Sequence, residues 1–391
     1  MERFKYLIIG GGMTSDAAVA GIRSLDPDGS IGVIGAEPER PYNRPPLSKS
    51  LWKGDALDSI WRKQASQKVI CERHELATFL DPDKKQVRDA AGTNYTWEKL
   101  LLATGGSPRK LAAGNDEVIY FRTVADYRRL RALTEKGERF AVIGGGFIGS
   151  EIAAGLALNQ KKVVMVFPGR GICGRVFPDA LSQFVSNFYK QKGVEVLAGE
   201  KVGGVETRGG ELVVRTGSGR EIPVDGVVAG LGIEPNVGLA HMAKLKVDNG
   251  VVVDEFLRTS NPDIYAAGDV AAFFSPALAK RMRVEHEDNA NTMGRLAGRN
   301  MAGPPEPYHH LPSFYSDLFE LGYEAVGELD SRLEIFADWK QPNKEGVIYY
   351  LQNGRVRGVL LWNVWGQVDA ARQLIAEAGP FHAENLKGRL K

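Results

Sequence analysis

Cysteine is scarce in this chain. Of 391 residues only Cys71 and Cys173 carry a thiol, and they stand far apart. Two isolated cysteines build neither a disulfide scaffold nor a zinc site, and no metal ion is expected. Long apolar runs are missing too. The stretch VLLW at 359–362 is typical of the longest and falls far short of a membrane span. Charge of one sign is not in excess: 50 Lys and Arg face 48 Asp and Glu, a net charge of +2. That balance argues against nucleic-acid binding and against a membrane-surface role. Strand-like residues begin almost at the first position, so no signal or transit peptide is expected and the protein reads as cytoplasmic. The length is too great for one hydrophobic core and implies roughly two or three domains. Glycine, by contrast, is plentiful at 46 residues, enough for many tight turns or close backbone approaches to a ligand.

Two stretches use glycine in the same way. FKYLIIGGGMTSDAAVAGIR, from Phe4, and RFAVIGGGFIGSEIAAGLAL, from Arg139, each run an apolar strand into three glycines and then a helical pattern. In the second, 140–143 reads as a strand, Gly144, Gly146 and Gly149 give G-x-G-x-x-G, and 150–158 has helical apolar spacing. Such glycines allow a tight turn, backbone approach to a pyrophosphate, and close packing of helix on strand. The helix N-terminus adds unpaired N–H groups and a positive dipole end. KKVVMVFP, from Lys161, supplies the next strand. The first stretch has Gly10, Gly11 and Gly12, with Ser15 where the third motif glycine would fall; serine is small enough to keep the packing close. The following strand, SIGVIGAE from Ser30, is expected to end at Glu37, whose carboxylate suits the ribose hydroxyls of an adenosine. A glycine-rich turn that binds nothing is the alternative for either stretch alone. The two together point to two dinucleotides, a flavin held permanently and a nicotinamide that comes and goes.

Further motifs carry a resemblance that spans nearly the whole chain. They are RPYNRPPLSKSLW from Arg40, LLATGGSPR from Leu101, VVAGLGIEPN from Val227, IYAAGDVA from Ile264 and RVEHEDNANTMGRLAGRNM from Arg283, followed by FYSDL, GYEAVGELD and GVLLWN near the C-terminus. The chain resembles the FAD-dependent pyridine nucleotide oxidoreductases, and within them apoptosis-inducing factor and the bacterial ferredoxin reductases of oxygenase systems. The resemblance implies an α/β fold: two Rossmann-like dinucleotide-binding domains of glutathione-reductase type, for FAD and NAD(P), plus a small C-terminal α+β domain. It implies a discontinuous FAD domain at 1–111 and 244–311, an NAD(P) domain at 112–243, and a reductase or dimerisation-type domain at 312–391. Local pattern supports the last: EGVIYYLQNGRVRGVLLWN, from Glu345, reads as two strands joined by an Asn353-Gly354 turn, and 365–378 as the final helix.

By the same resemblance, FAD would contact Gly10, Gly12, Met13 and Thr14 of the first turn, then Glu37, Arg44 and Lys49. Thr104 and Gly105 would return the chain to it, with Arg109 near the phosphates. Gly268 would lie close by and Asp269 on the ribityl chain; Glu285, His286 and Tyr315 complete the set. A helix N-cap is the alternative for Asp269, and the two roles are compatible. NAD(P)H would take Gly144, Gly146, Phe147, Ile148, Gly149 and Glu151, with Gly169, Arg170 and Gly232. Hydride transfer needs nicotinamide C4 about 3–3.5 Å from flavin N5. The flavin does the redox chemistry, and the protein positions and tunes it. Lys49 would lie near N5 and favour electron density arriving on the ring. Glu151 would pair with Lys49 and help place the carboxamide. Phe147 would gate the nicotinamide pocket, and His286 would pack near the isoalloxazine. The alternatives are a solvated surface pair for Lys49 and Glu151, and a hydrogen-bonded interior histidine for His286.

Disulfide reductases of this superfamily carry C-x-x-x-x-C just after the first dinucleotide unit, and peroxidase-type relatives a single reactive cysteine. Here that region reads Asn43-Arg44-Pro45-Pro46-Leu47. Without a thiolate beside the flavin, electrons would leave it directly, for a one-electron carrier, a quinone or oxygen. Cys71 and Cys173 read as ordinary packed or surface residues. The family usually ends the second nicotinamide-domain strand with an acid that binds the 2′-hydroxyl of NADH. MVFPGRG, from Met165, has Gly169 there and then Arg170, so NADPH is expected to be accepted. The family's FWSDL is FYSDL, with Tyr315 offering a smaller stacking face. The leading expectation is an FAD-dependent NAD(P)H oxidoreductase that passes electrons to a small iron–sulfur protein such as a ferredoxin or rubredoxin. Lys280, Arg281 and Arg283 form a basic cluster, read either as a carrier-docking patch or as a solvated face. One alternative is a slow redox sensor like apoptosis-inducing factor, with a long-lived charge-transfer complex and a redox-dependent homodimer. The other is an NAD(P)H:quinone or oxygen reductase.

Overall fold

The computed structural model describes residues 2–62 and 71–390. The chain forms two compact units: Met1–Asn43, Asp58–Ser107 and Glu234–Pro312 make the first, and Arg44–Leu57, Pro108–Ile233 and Ser313–Lys391 the second. Among the described residues no helix is long and apolar enough to cross a membrane.

The first unit's sheet is mostly parallel, and its apolar central strands are buried on both faces at 6–9 and 31–34. Its order is Cys71–Arg73, Ile31–Ile34, Glu2–Ile9, Asn94–Leu102, Gln86–Asp89, Ala77–Asp81, and Ile264–Ala266 also pairs with Asn94–Leu102. Tyr6, Leu7, Ile8, Leu100 and Leu101 fill the core. The register brings the strand ends level: Ile9 faces both Ile34 and Leu102, and Leu102 faces Ala266. The chain therefore leaves the sheet at Gly10, at Gly105 and at Gly268 along one carboxyl edge, where open α/β sheets hold their ligands. The strand expected to reach Glu37 stops at Ile34. Gly10 N–H donates to the Ile34 carbonyl and Gly35 N–H to that of Arg73, after which the chain turns off the sheet towards Pro38.

The second unit contains a parallel sheet ordered Val194–Ala198, Lys162–Phe167, Arg139–Ile143, Gly226–Ala229, Val118–Tyr120. Val202–Arg208, Glu211–Thr216 and Glu221–Val224 form a small antiparallel sheet. A five-stranded antiparallel sheet runs Ser313–Leu318, Leu321–Gly327, Arg355–Trp362, Glu345–Gln352, Glu334–Gln341. The expected hairpin is present, with Asn353 at φ 52° and Gly354 at φ 70°, the two left-handed residues a tight hairpin turn needs. The final helix begins at Val368 rather than 365 and ends at Ala376. Gly366 is left-handed at φ 75° and its N–H is held by the Glu324 carboxylate, so the helix starts later. A short helix, Ala383–Leu386, follows it.

Candidate functional site

In the first unit, helix Met13–Arg23 starts directly after Gly12, which offers no side-chain cap. The first-turn N–H groups of a helix have no partner within it, so this end presents donors and a positive dipole to an anion. Gly10 lets the turn pack against the neighbouring strand end: it is left-handed at φ 124°, and a Cβ there would meet the Ala103 carbonyl oxygen at 2.1 Å. Thr14 is buried against Gly268, whose absent Cβ would lie 2.2 Å from Thr14 Oγ1. The Thr104–Gly105 return is fixed by Asn236, which sequence reasoning did not single out. Thr104 Oγ1 donates to the Asn236 carbonyl at 2.8 Å, and Asn236 Nδ2 donates to the Thr104 carbonyl at 2.9 Å. Glu37, half-buried, accepts from the Tyr42 hydroxyl at 2.5 Å.

Asp269 lies inside the short turn Gly268–Val270, whose N-cap position is Ala267, so the helix N-cap alternative does not hold. Arg283 ties this turn to the segment before the last long helix of the unit. Its Nη1 donates to the Asp269 carbonyl at 3.1 Å and pairs with Glu285 at 2.7 Å. Arg281 donates to the carbonyls of Val253 and Ala272. Two members of the expected basic cluster are thus engaged in holding backbone. His286 occupies the N-cap position of helix Glu287–Ala302 and is half-buried.

Arg44, Lys49, Arg109 and Tyr315 belong to the second unit. Arg44 Nη1 donates to the Arg122 carbonyl at 3.0 Å. Arg109 is exposed, and its N–H donates to the carbonyl of Gly232, itself left-handed at φ 81°. Helix Phe147–Leu158 begins at Phe147, earlier than the spacing suggested, with Gly146 as its uncapped N-cap. Gly149 packs so tightly that a Cβ would meet the Gly144 carbonyl oxygen at 2.0 Å, whereas Gly146 faces open space. Phe147 stands against Phe314, ring centroids 5.1 Å apart, and Ile148 is exposed. Gly169 and Arg170 are exposed just beyond strand Lys162–Phe167.

Lys49 and Glu151 meet. Lys49 Nζ lies 2.9 Å from Glu151 Oε1, with the carboxylate side chain 2% exposed and the lysine 10%. A solvated surface pair is therefore not what these residues form. Tyr315, next to them, is exposed, and Lys49 Nζ sits 5.2 Å from its ring centroid, a cation–π distance. Ser48 and Ser316 also donate to Glu151; they stand inside PPLSK and FYSDL, but serine alone gives no signal. Behind the carboxylate lies a buried set of Cys173, Tyr189 and Tyr323. Burial pushes the Cys173 thiol up to about 12, with the Glu151 charge adding to it. Burial likewise holds the Tyr189 and Tyr323 hydroxyls well above the ordinary phenol range. Among the described residues no cluster of metal-ligating side chains forms.

Two uncapped helix ends behind glycine turns, one in each unit, fit two dinucleotides. A model of the pyridine nucleotide-disulphide oxidoreductase family matches residues 4–294. The chain belongs to that family and is an FAD- and NAD(P)H-dependent flavoprotein oxidoreductase. A model of the C-terminal part of mitochondrion-associated apoptosis-inducing factor matches 297–345 and 337–377. The chain is 36% identical over 420 residues to apoptosis-inducing factor 1, mitochondrial, of Dictyostelium discoideum, covering 96% of this chain and 79% of that one. It is 34% identical over 370 residues to the 5,5'-dehydrodivanillate O-demethylase ferredoxin reductase subunit of a Sphingobium species, covering 91% of this chain and 89% of that one. Among solved structures it is similar to the covalent putidaredoxin reductase–putidaredoxin complex, at a TM-score of 0.90 and 29% identity over 97% of this chain and 94% of that one.

Proposed function

We propose that this chain takes hydride from NADH or NADPH onto bound FAD and passes the electrons to a small ferredoxin- or rubredoxin-type carrier in the cytoplasm. One observation carries the reading: each compact unit has its own strand, glycine turn and uncapped helix start. FAD, when bound, accepts a hydride and gives up electrons singly. The chain's residues do the rest. Gly10, Gly12, Met13 and Thr14, with Thr104, Gly105, Gly268 and Asp269, hold the flavin nucleotide; Glu37, Arg44, Arg109, Glu285, His286 and Tyr315 complete that set. Gly144, Gly146, Ile148, Gly149 and Gly232 hold the nicotinamide nucleotide, with Phe147 at its entrance. The Lys49 ammonium favours negative charge on the ring, and Glu151 holds that ammonium. In this reading 1–111 with 244–311 is the FAD domain, 112–243 the NAD(P) domain and 312–391 the C-terminal domain.

The acceptor follows from chemistry and kinship. No cysteine stands at 43–47, so no thiol relay is available there. One relative is named as a ferredoxin reductase subunit, and a similar structure is a complex with putidaredoxin, which supports a protein carrier. Exposed Gly169 and Arg170, in place of an acid, support acceptance of NADPH beside NADH. Steady-state reduction of cytochrome c by NADH, with and without added putidaredoxin, tests the carrier. Stimulation by the carrier is expected; an unchanged rate with each ferredoxin and rubredoxin tried would reject it. A second reading, a slow redox sensor that homodimerises when reduced, draws support from the C-terminal match to apoptosis-inducing factor. Direct reduction of a quinone or oxygen would use the same residues.

A further inference from the structure

Glu151 is 3% exposed, yet its carboxylate meets donors from two other segments of the second unit. Oε1 accepts from Ser316 Oγ at 2.6 Å and pairs with Lys49 Nζ at 2.9 Å. Oε2 accepts from Ser48 Oγ at 2.5 Å. A buried anion persists only when its oxygens are paired. Coulombic attraction to Lys49 satisfies one oxygen and leaves the plane of the group undecided, because the last torsion of a glutamate is broad. One hydroxyl on each oxygen removes that freedom.

Both hydroxyls donate to the carboxylate. Ser48 closes the turn Pro45–Ser48 immediately before Lys49, and Ser316 follows Tyr315 on strand Ser313–Leu318. They are buried, at 4% and 1% exposed. The other acceptor within reach of Ser48, the Pro45 carbonyl, is 3.5 Å away, a full ångström beyond the carboxylate oxygen. Serine is the smallest side chain that delivers a hydroxyl, which suits two donors closing on one buried group.

We propose that Ser48 and Ser316 are positioning residues: each pins one oxygen of Glu151, so the carboxylate keeps its plane and its hold on the Lys49 ammonium. The inference rests on the reading above, in which this pair serves hydride transfer. The two serines are not equivalent. Without Ser316, Oε1 keeps its ammonium. Without Ser48, Oε2 has no donor among the described residues.

The test is made on the yellow holoprotein at neutral pH. In the infrared, Ser48→Ala is expected to shift the Glu151 carboxylate stretch, identified as the band that Glu151→Gln removes, away from its wild-type position. An unshifted band overturns the proposal. In anaerobic stopped flow with NADH, Ser48→Ala is expected to slow flavin reduction about tenfold, the size of one hydrogen bond to a charge. Ser316→Ala is expected to slow it less, and Ser316→Thr, which keeps the hydroxyl, to return it to within about twofold of wild type. Wild-type rates in both alanine variants, or a threonine variant as slow as alanine, overturn the proposal. Should Ser48→Ala not fold, the Ser316 pair decides by the same rates. The infrared band needs no nicotinamide. A wild-type protein that NADH fails to reduce would remove the functional reading while the band still judges the serines.

Discussion

Lys49 and Glu151 lie 102 positions apart in sequence and 2.9 Å apart in the fold, both inside one compact unit. An ammonium held at low exposure favours negative charge on whatever lies against it. Lys49→Met is therefore expected to lower the midpoint potential of the bound flavin and to slow its reduction by NADH about tenfold or more. Spectroelectrochemical titration reads the potential, and an unchanged value would mean the ammonium does not face the ring.

Cofactor choice gives a second prediction. Gly169→Glu adds the carboxylate that the end of strand Lys162–Phe167 lacks. It is expected to tilt the kcat/KM ratio towards NADH by about tenfold, through a hydrogen bond to the ribose hydroxyl and repulsion of the 2′-phosphate. For wild type, kcat/KM with NADPH is expected within about a hundredfold of that with NADH. A wider preference for NADH would remove the role given to Arg170.

The glycine turns make a third. A methyl at Gly149 meets backbone, the Gly144 carbonyl oxygen at 2.0 Å, and backbone cannot step aside as a long side chain can. Gly149→Ala is expected to cost about 1–3 kcal/mol, as overpacking does, and to weaken the stabilisation that NAD(P)+ gives. Thermal melts with and without the nucleotide check both effects.

A pH-dependent contribution to stability lies away from the site. Asp26 accepts from Lys5 Nζ, from the Tyr6 hydroxyl and from Gly29 N–H. The Lys5 hydrogen bond first, then those of Tyr6 and Gly29, hold its carboxyl well below the usual carboxylate range. A carboxyl depressed in the folded state stabilises above its unfolded value and ceases to as pH falls through the folded one. Asp26→Asn is thus expected to lower the urea midpoint at neutral pH. The gap to wild type should narrow as the solution is acidified below the ordinary carboxylate range, and a pH-independent gap would contradict the assignment.

Cys173 is buried with its thiol pushed up to about 12, so it carries almost no thiolate at neutral pH. In a Cys71→Ser background it should resist iodoacetamide until the protein is unfolded. Rapid labelling of the native protein would show that the site opens.

Much of the fold was legible because its signals are local. An apolar strand, a glycine turn and a helix occupy about twenty consecutive residues, and the Asn353-Gly354 hairpin carries its own turn chemistry. The strand expected to run to Glu37 stops at Ile34, because Gly35, Ala36 and Glu37 have little strand propensity and the chain turns away at Gly35. Ser48, Ser316 and Asn236 were hidden for another reason. Each acts through a partner from a distant segment, and a serine or asparagine in a loop or strand announces nothing until tertiary contacts form. Arg283 looked like surface charge in the sequence and proves to brace the Asp269 turn.

The central claim is hydride transfer from a nicotinamide to a flavin held by this chain. The direct measurement is anaerobic mixing of the FAD-loaded protein with a slight excess of NADH, and then of NADPH, in a stopped-flow spectrometer. Loss of the flavin absorbance within milliseconds to seconds with both nucleotides is the expected result. Slow loss with a persistent long-wavelength charge-transfer band would favour the redox sensor over the reductase. A flavin that neither nucleotide reduces, or a chain that does not retain FAD, would contradict the claim outright.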